Sequence, residues 1–212
     1  MLRLRQLIAA HAPLLVIDAA STRVQTGWIT ESGMSEAKWA TSNEDTGVGL
    51  FRSIKALDVE IGAARGFVFC EGPGSVLGIR TCAMALRTWQ ILEPRPVFSY
   101  CSIALVAHSI GRTDLGVIAD ARRELWHHFS IRGKLRRVAA ADLSGDLVTP
   151  ENFRHWSKPP AGVSEVPYSL AELFPRVSDC ELFQPTGAPD AFLHEEPSYV
   201  TWTPKIHRPP AI

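Results

Sequence analysis

Glu71-Gly72-Pro73-Gly74-Ser75-Val76-Leu77-Gly78-Ile79-Arg80 is the stretch on which the reading of this chain turns. Phe67-Val68-Phe69-Cys70 before it is an apolar run of strand length. Ser75 is a helix-capping residue, and the residues after it carry Ile79, Ala83 and Leu86 at helical spacing until Pro94 and Pro96. The stretch is therefore a strand, a glycine turn and a helix start, over about 76–92. Backbone N–H groups and the helix dipole make such a corner a place for an anion. It is not a Walker loop, because no Gly-Lys-Ser/Thr follows. It is not the dinucleotide fingerprint either, because Leu77 stands where the third glycine belongs. The same glycines equally permit a sharp turn and close helix–strand packing.

Working toward the N-terminus, Ser42-Asn43-Glu44-Asp45 supplies capping groups and early negative charge for a helix over 45–58. Val48, Phe51, Ile54 and Leu57 recur there at three-residue steps and predict the buried stripe. Leu14 to Asp18 reads as a strand that pairs in a hairpin with Val24 to Thr30. Residues 1–12 read as an extra arm or short helix. Basic residues and an apolar run faintly mimic a signal peptide, but His11, Pro13 and Asp18 interrupt it. No apolar run approaches the roughly 18 residues of a membrane span.

Toward the C-terminus, Val97-Phe98 is a short strand, followed by a helix that Gly111 closes. Leu115–Ala121, Glu124–Ile131 and Leu135–Ala139 form a meander. Beyond Pro150 the pattern weakens: a helix turn at 151–156, a Pro-rich loop at 157–167, a short helix at 168–174 and an edge strand at 199–202. Hairpin, helix, strand, helix, strand, helix and meander together predict an α/β protein of mixed sheet and packed helices in two lobes. The boundaries are an extension at 1–12, an N-terminal lobe at 13–98 and a C-terminal lobe at 99–212.

The 212 residues balance 22 Lys and Arg against 22 Asp and Glu, which argues against a globally basic nucleic-acid binder. Arg122, Arg123, Arg132, Lys134, Arg136 and Arg137 nevertheless cluster, with Glu124 the only acid among them. That cluster suits either RNA phosphates or a solvated sheet edge. Cys70, Cys82, Cys101 and Cys180 are widely spaced without a CxxC pair, so free thiols in a reducing cytoplasm are expected. Asp18 and Asp120 each end a strand. Such carboxylates suit a magnesium ion held through water, or simply turn capping, by Asp18 at Ser21 and Thr22. No HExxH, HxxxH or GxSxG pattern occurs, so no peptidase activity is expected. The turn Ala19-Ala20-Ser21-Thr22-Arg23 lacks the glycine that lets backbone approach phosphates, so weak or absent ATP hydrolysis is expected.

Three anchors in order resemble the TsaB/YeaZ family. Leu15-Val16-Ile17-Asp18-Ala19-Ala20-Ser21 is similar to its opening "LAIDTS", the glycine stretch to "GPGSFTGLR", and Ile118 to Trp126 to "DARMxEVY". Ser198-Tyr199-Val200 weakly resembles the closing "PxYLR". Departures are Val76-Leu77 for Phe-Thr and Trp39-Ala40-Thr41-Ser42 where the family has a His-Ser pair. The match covers about 14–135 well.

The resemblance implies an actin-like, ribonuclease-H-like two-lobed fold of mixed sheets flanked by helices. It implies a non-catalytic scaffold for a TsaD-type transferase that threonylcarbamoylates a tRNA adenosine, joined by an ATPase subunit. The alternative is a stand-alone homodimeric paralogue under the older glycoprotease-like label. The motif residues carried over are Asp18, Ser21, Gly72, Gly74, Ser75, Gly78, Arg80, Asp120 and Arg122. The implied partner surface is the first two helices of the N-terminal lobe, with candidates Val48, Leu50, Phe51, Met84 and Trp89. If one stripe of each helix faces the sheet, Leu50, Met84 and Trp89 remain exposed. No tightly bound cofactor is expected; ATP and magnesium enter only through the partner complex, tRNA only indirectly, and no membrane is involved.

Overall fold

A strand buried on both faces must be apolar along most of its length, and Leu14–Asp18 (β2) and Gly66–Gly72 (β5) are such strands, each with one acid near its C-terminal end, Asp18 and Glu71. They pair in parallel, Leu15 beside Phe67 and Ile17 beside Phe69, at the centre of a seven-stranded mixed sheet. The computed structural model describes residues 1–192; the expected strand at 199–202 and the Ser198-Tyr199-Val200 resemblance lie outside them. In chain order the elements are Leu2–Arg3 (β1), Leu4–His11 (α1), β2, Val24–Ile29 (β3), Lys38–Ser42 (β4), Thr46–Ala56 (α2), β5, Val76–Leu92 (α3), Val97–Cys101 (β6) and Ser102–Ile110 (α4). Leu115–Asp120 (β7), Leu125–Phe129 (β8), Arg136–Ala139 (β9), Asp146–Pro150 (β10), Ser164–Val166 (β11), Leu170–Arg176 (α5) and Glu181–Pro185 (β12) follow.

The first sheet runs β1-β12-β6-β5-β2-β3-β4 and the second β11-β10-β7-β8-β9. The α/β architecture of mixed sheets flanked by helices is the expected one, and so are the β2–β3 hairpin and the β7–β8–β9 meander. Between the sheets lies α4, whose residues from Ser102 to Ala107 are all buried. A helix this apolar on every side belongs in the interior. Gly111, at φ +76, ends it in the left-handed conformation that costs glycine nothing. Among the described residues no helix is long and apolar enough to cross a membrane.

Several elements differ from expectation for identifiable reasons. Residues 1–12 are integral to the first sheet: β1 pairs with β12, and Leu4 and Leu7 of α1 are buried. Four short strands, β4, β10, β11 and β12, carry no strong alternation and owe their state to neighbours. In β4 the Trp39 ring lies over Gly27 of β3, where a Cβ would sit 2.3 Å from it. The ring also meets Phe174 of α5 edge-on at 5.4 Å.

The predicted stripe on α2 holds at Ile54 and Leu57 and fails at Val48 and Phe51. Each helical step turns by about 100°, so the nine steps from Val48 to Leu57 turn the face by about 180°. The buried set is instead Gly49, Leu50, Ser53, Ile54 and Leu57, while Val48 and Phe51 are 50% and 54% exposed. Leu50, expected at the surface, is only 1% exposed. On α3 the expected face of Ile79, Ala83 and Leu86 is buried. Met84 is 58% exposed, but Trp89 is partly buried and stacks on Phe67 at 5.7 Å.

Candidate functional site

The three motifs converge where β2, the glycine turn and the β7–β8 hairpin meet. Gly74 lies against the backbone that leaves β2: a Cβ there would stand 2.3 Å from the Ala20 carbonyl oxygen, and its φ is +154. A Cβ on Gly78 would stand 2.7 Å from the Ala19 oxygen. Ser75 N–H donates to Ala20 O at 2.7 Å, and Ser75 Oγ accepts from Gly78 N–H at 3.4 Å. Ser102 Oγ donates to Pro73 O at 2.6 Å. Of the two readings of the glycine stretch, close packing is the one these contacts carry. The turn bolts α3 onto the first hairpin, and part of its donor set is spent there.

Asp18 is buried at the end of β2. One carboxylate oxygen accepts the Ala20 N–H at 2.8 Å. The other accepts the phenols of Tyr100 and Tyr168, each at 2.6 Å. Burial and then the Asp18 charge push both phenols well above their ordinary range, so they stay protonated donors. Gln25 of β3 holds the Tyr168 segment in place: its amide donates to Tyr168 O at 3.1 Å and accepts Leu170 N–H at 2.9 Å. Asp18 thus caps the turn at Ala20, not at Ser21 and Thr22. It faces two tyrosines instead of a ligand, and it has no free edge to share with Asp120 around a cation. Among the described residues no cluster of three His, Cys, Asp or Glu side chains suits a metal.

Asp120 ends β7 in the corresponding way but at the surface. It accepts Arg122 N–H on one oxygen, and Trp156 N–H and Ser157 N–H on the other, each at 2.6 Å. Arg122, Arg123 and Glu124 then hold φ of +61, +55 and +59. Left-handed backbone costs a residue with a Cβ about 1–2 kcal/mol. The Asp120 contacts offset part of this, together with the Arg122 guanidinium, which lies 5.0 Å from the centre of the Trp156 ring.

A cavity of about 270 Å³ opens between this hairpin and the start of α3; Gly74, Ser75, Asp120 and Arg122 are among its lining. An adjoining opening of about 590 Å³ takes in Ser21, Ser75 and Gly78. Asp18, Gly72 and Arg80 line neither. Arg80 instead pairs with Asp190 at 3.5 Å, and Ser21 Oγ bonds within its own turn to Arg23. Arg154, Trp156, Phe153 and Phe192 complete the first cavity and come from stretches without periodic pattern. The sequence shows a Trp two residues after Arg154, and nothing in spacing ties either to Asp120. His127 faces this cavity, and His128, on the other face of β8, lines a different one. Burial pushes the Cys82 and Cys101 thiols up to about 12 and raises the Cys70 thiol well above its ordinary value, so none is a ready thiolate.

No family model and no curated protein matches the chain. Solved structures do match, and they define the class first: an actin-like α/β fold. One neighbour is YeaZ from Pseudomonas aeruginosa (TM-score 0.57, 16% identity, 78% of this chain and 89% of that chain). Another, with TM-score 0.58, 17% identity and the same coverage, is an uncharacterised protein with similarity to peptidase YeaZ from Pseudomonas aeruginosa. The chain has the YeaZ fold in diverged form.

Proposed function

We propose that this chain is a diverged, non-catalytic TsaB/YeaZ-like subunit that docks through α2 and α3 onto a TsaD-type threonylcarbamoyl transferase in a cytoplasmic tRNA-modifying assembly. The observation that carries the reading is an apolar row left open on two adjacent helices. Leu77, Met84 and Ile91 of α3 are exposed at seven-residue steps, and Val48 and Phe51 are exposed on neighbouring α2. A seven-residue recurrence keeps one seam along a helix facing a partner. Large exposed apolar side chains in a contiguous patch mark interfaces. With Asp18 sealed under two tyrosines, nucleotide and magnesium belong to the partners in this reading, and tRNA is met indirectly.

The test is co-purification with the organism's own TsaD-type protein. Met84→Glu and Phe51→Glu are expected to weaken capture by at least about tenfold, as the loss of a central apolar anchor does. Capture unchanged in both variants would remove the reading. Sedimentation of the lone chain decides the alternative: a homodimer that the same substitutions dissociate, with no capture of the transferase, identifies a stand-alone paralogue.

A further inference from the structure

We propose that the cavity between the β7–β8 hairpin and the start of α3 binds a small, metal-free ligand, a planar aromatic ring bearing one carboxylate or phosphate group. The cavity, about 270 Å³, is of fragment size. Two guanidinium groups, Arg122 and Arg154, line it, and neither pairs with a carboxylate among the described residues. The one carboxylate in the lining, Asp120, has both oxygens occupied by backbone N–H groups, that of Arg122 among them, and pairs with neither guanidinium. Two cations against one acid leave a single positive charge for a ligand anion, and guanidinium forks suit a carboxylate or phosphate edge.

The remaining wall is apolar and partly aromatic. Phe153 is buried behind it, and Trp156, 62% exposed, presents a broad ring already steadied by Arg122. A flat ligand ring finds a stacking surface there, and its anionic group finds the guanidiniums beside it. Three consecutive left-handed residues hold Arg122 at this place. Strain of this kind collects where a side chain must be aimed. A nucleoside triphosphate with magnesium fits poorly, since Asp18 is buried under two phenols and Asp120 already holds three backbone N–H groups.

The experiment is calorimetric titration of the full isolated chain with phenyl phosphate and with benzoate. Inorganic phosphate and magnesium ATP are the comparison ligands. One or both aromatic anions are expected to bind saturably, and whichever binds more tightly names the anionic group. Arg154→Gln and Arg122→Gln should each weaken binding by about tenfold or more, as loss of a charge-assisted pair does. Arg123→Gln, outside the cavity, should not. Thermal melts of all three variants establish that they are folded. No saturable binding of either aromatic anion overturns the proposal. So does inorganic phosphate or magnesium ATP binding at least as tightly, or an equal loss in Arg123→Gln. The titration needs no partner protein, so its failure leaves the docking reading untouched.

Discussion

Asp18 and Asp120 occupy equivalent places in two hairpins and do different work. Each is the last residue of a strand, each is followed by alanine, and each accepts a backbone N–H two residues on. Around Asp18 the fold closes: Tyr100 arrives from β6, Tyr168 from the segment before α5, and no water-facing edge remains. Around Asp120 the fold stays open, and its remaining partners are the N–H groups of the surface loop at 156–157. One carboxylate is a buried junction between distant parts of the chain. The other is a clamp on a strained turn at a cavity mouth. The same local chemistry becomes architecture or site depending on what the rest of the chain lays over it.

The largest test of this contrast is to remove each carboxylate. Asp18→Ala leaves two buried phenols and an amide without an acceptor, so a loss of about 3 kcal/mol or more in urea-unfolding free energy is expected. Asp120→Ala leaves the Arg122 and Trp156 donors to water and the buried Ser157 N–H short of its acceptor, and should cost about 1–2 kcal/mol, much of it from the released turn. Equal losses would erase the distinction between the two sites.

Alkaline pH probes the closed site next. The Cys82 thiol is raised from 9.0 to about 12 by burial and then by the Asp18 charge. The unfolded chain therefore gives up this proton near pH 9 while the fold keeps it. Stability from this group is whole below pH 9 and falls between 9 and 12, by up to about 1.4 kcal/mol per pH unit. The phenols of Tyr100 and Tyr168 add a decline above 10 in the same direction. A stability profile flat from pH 8 to 11 would contradict the sealed environment.

Tyr168→Phe is milder. Asp18 keeps Tyr100 and the Ala20 amide, so about 1–2 kcal/mol should be lost, with a shallower decline above pH 10. Smallest are the substitutions on the open helix face. Met84→Glu and Phe51→Glu should move unfolding free energy by no more than about 0.5 kcal/mol, since both side chains already meet water. Leu50→Glu on the same helix should prevent folding, because it places a charge in the core. Were Leu50→Glu tolerated and Phe51→Glu not, the assignment of inward and outward faces on α2 would be reversed.

How far the residues alone could be read varies along the chain. The central strands were legible because a strand buried on both faces must be apolar along most of its length, and β2 and β5 are so up to Asp18 and Glu71 near their ends. The glycine stretch was legible as a turn between strand and helix. Its purpose was not, because the oxygen atoms of Ala19 and Ala20 that exclude a Cβ come from more than fifty residues away. The inward face of α2 was misread because steps of three wind around a helix, and only contact with the sheet selects Leu50 over Val48.

Local pattern therefore determined the central strands, the glycine turn and the main helices, since periodicity and glycine conformation act within a few residues, while β4, β10, β11 and β12 took their state from neighbours. Only the tertiary structure decided which of two similar carboxylates is sealed and which stands at a cavity. It likewise decided that Trp156, from a stretch without pattern, lies under Arg122. Burial and pairing are properties of the space around a side chain, and that space is built by segments whose separation along the chain carries no local signal.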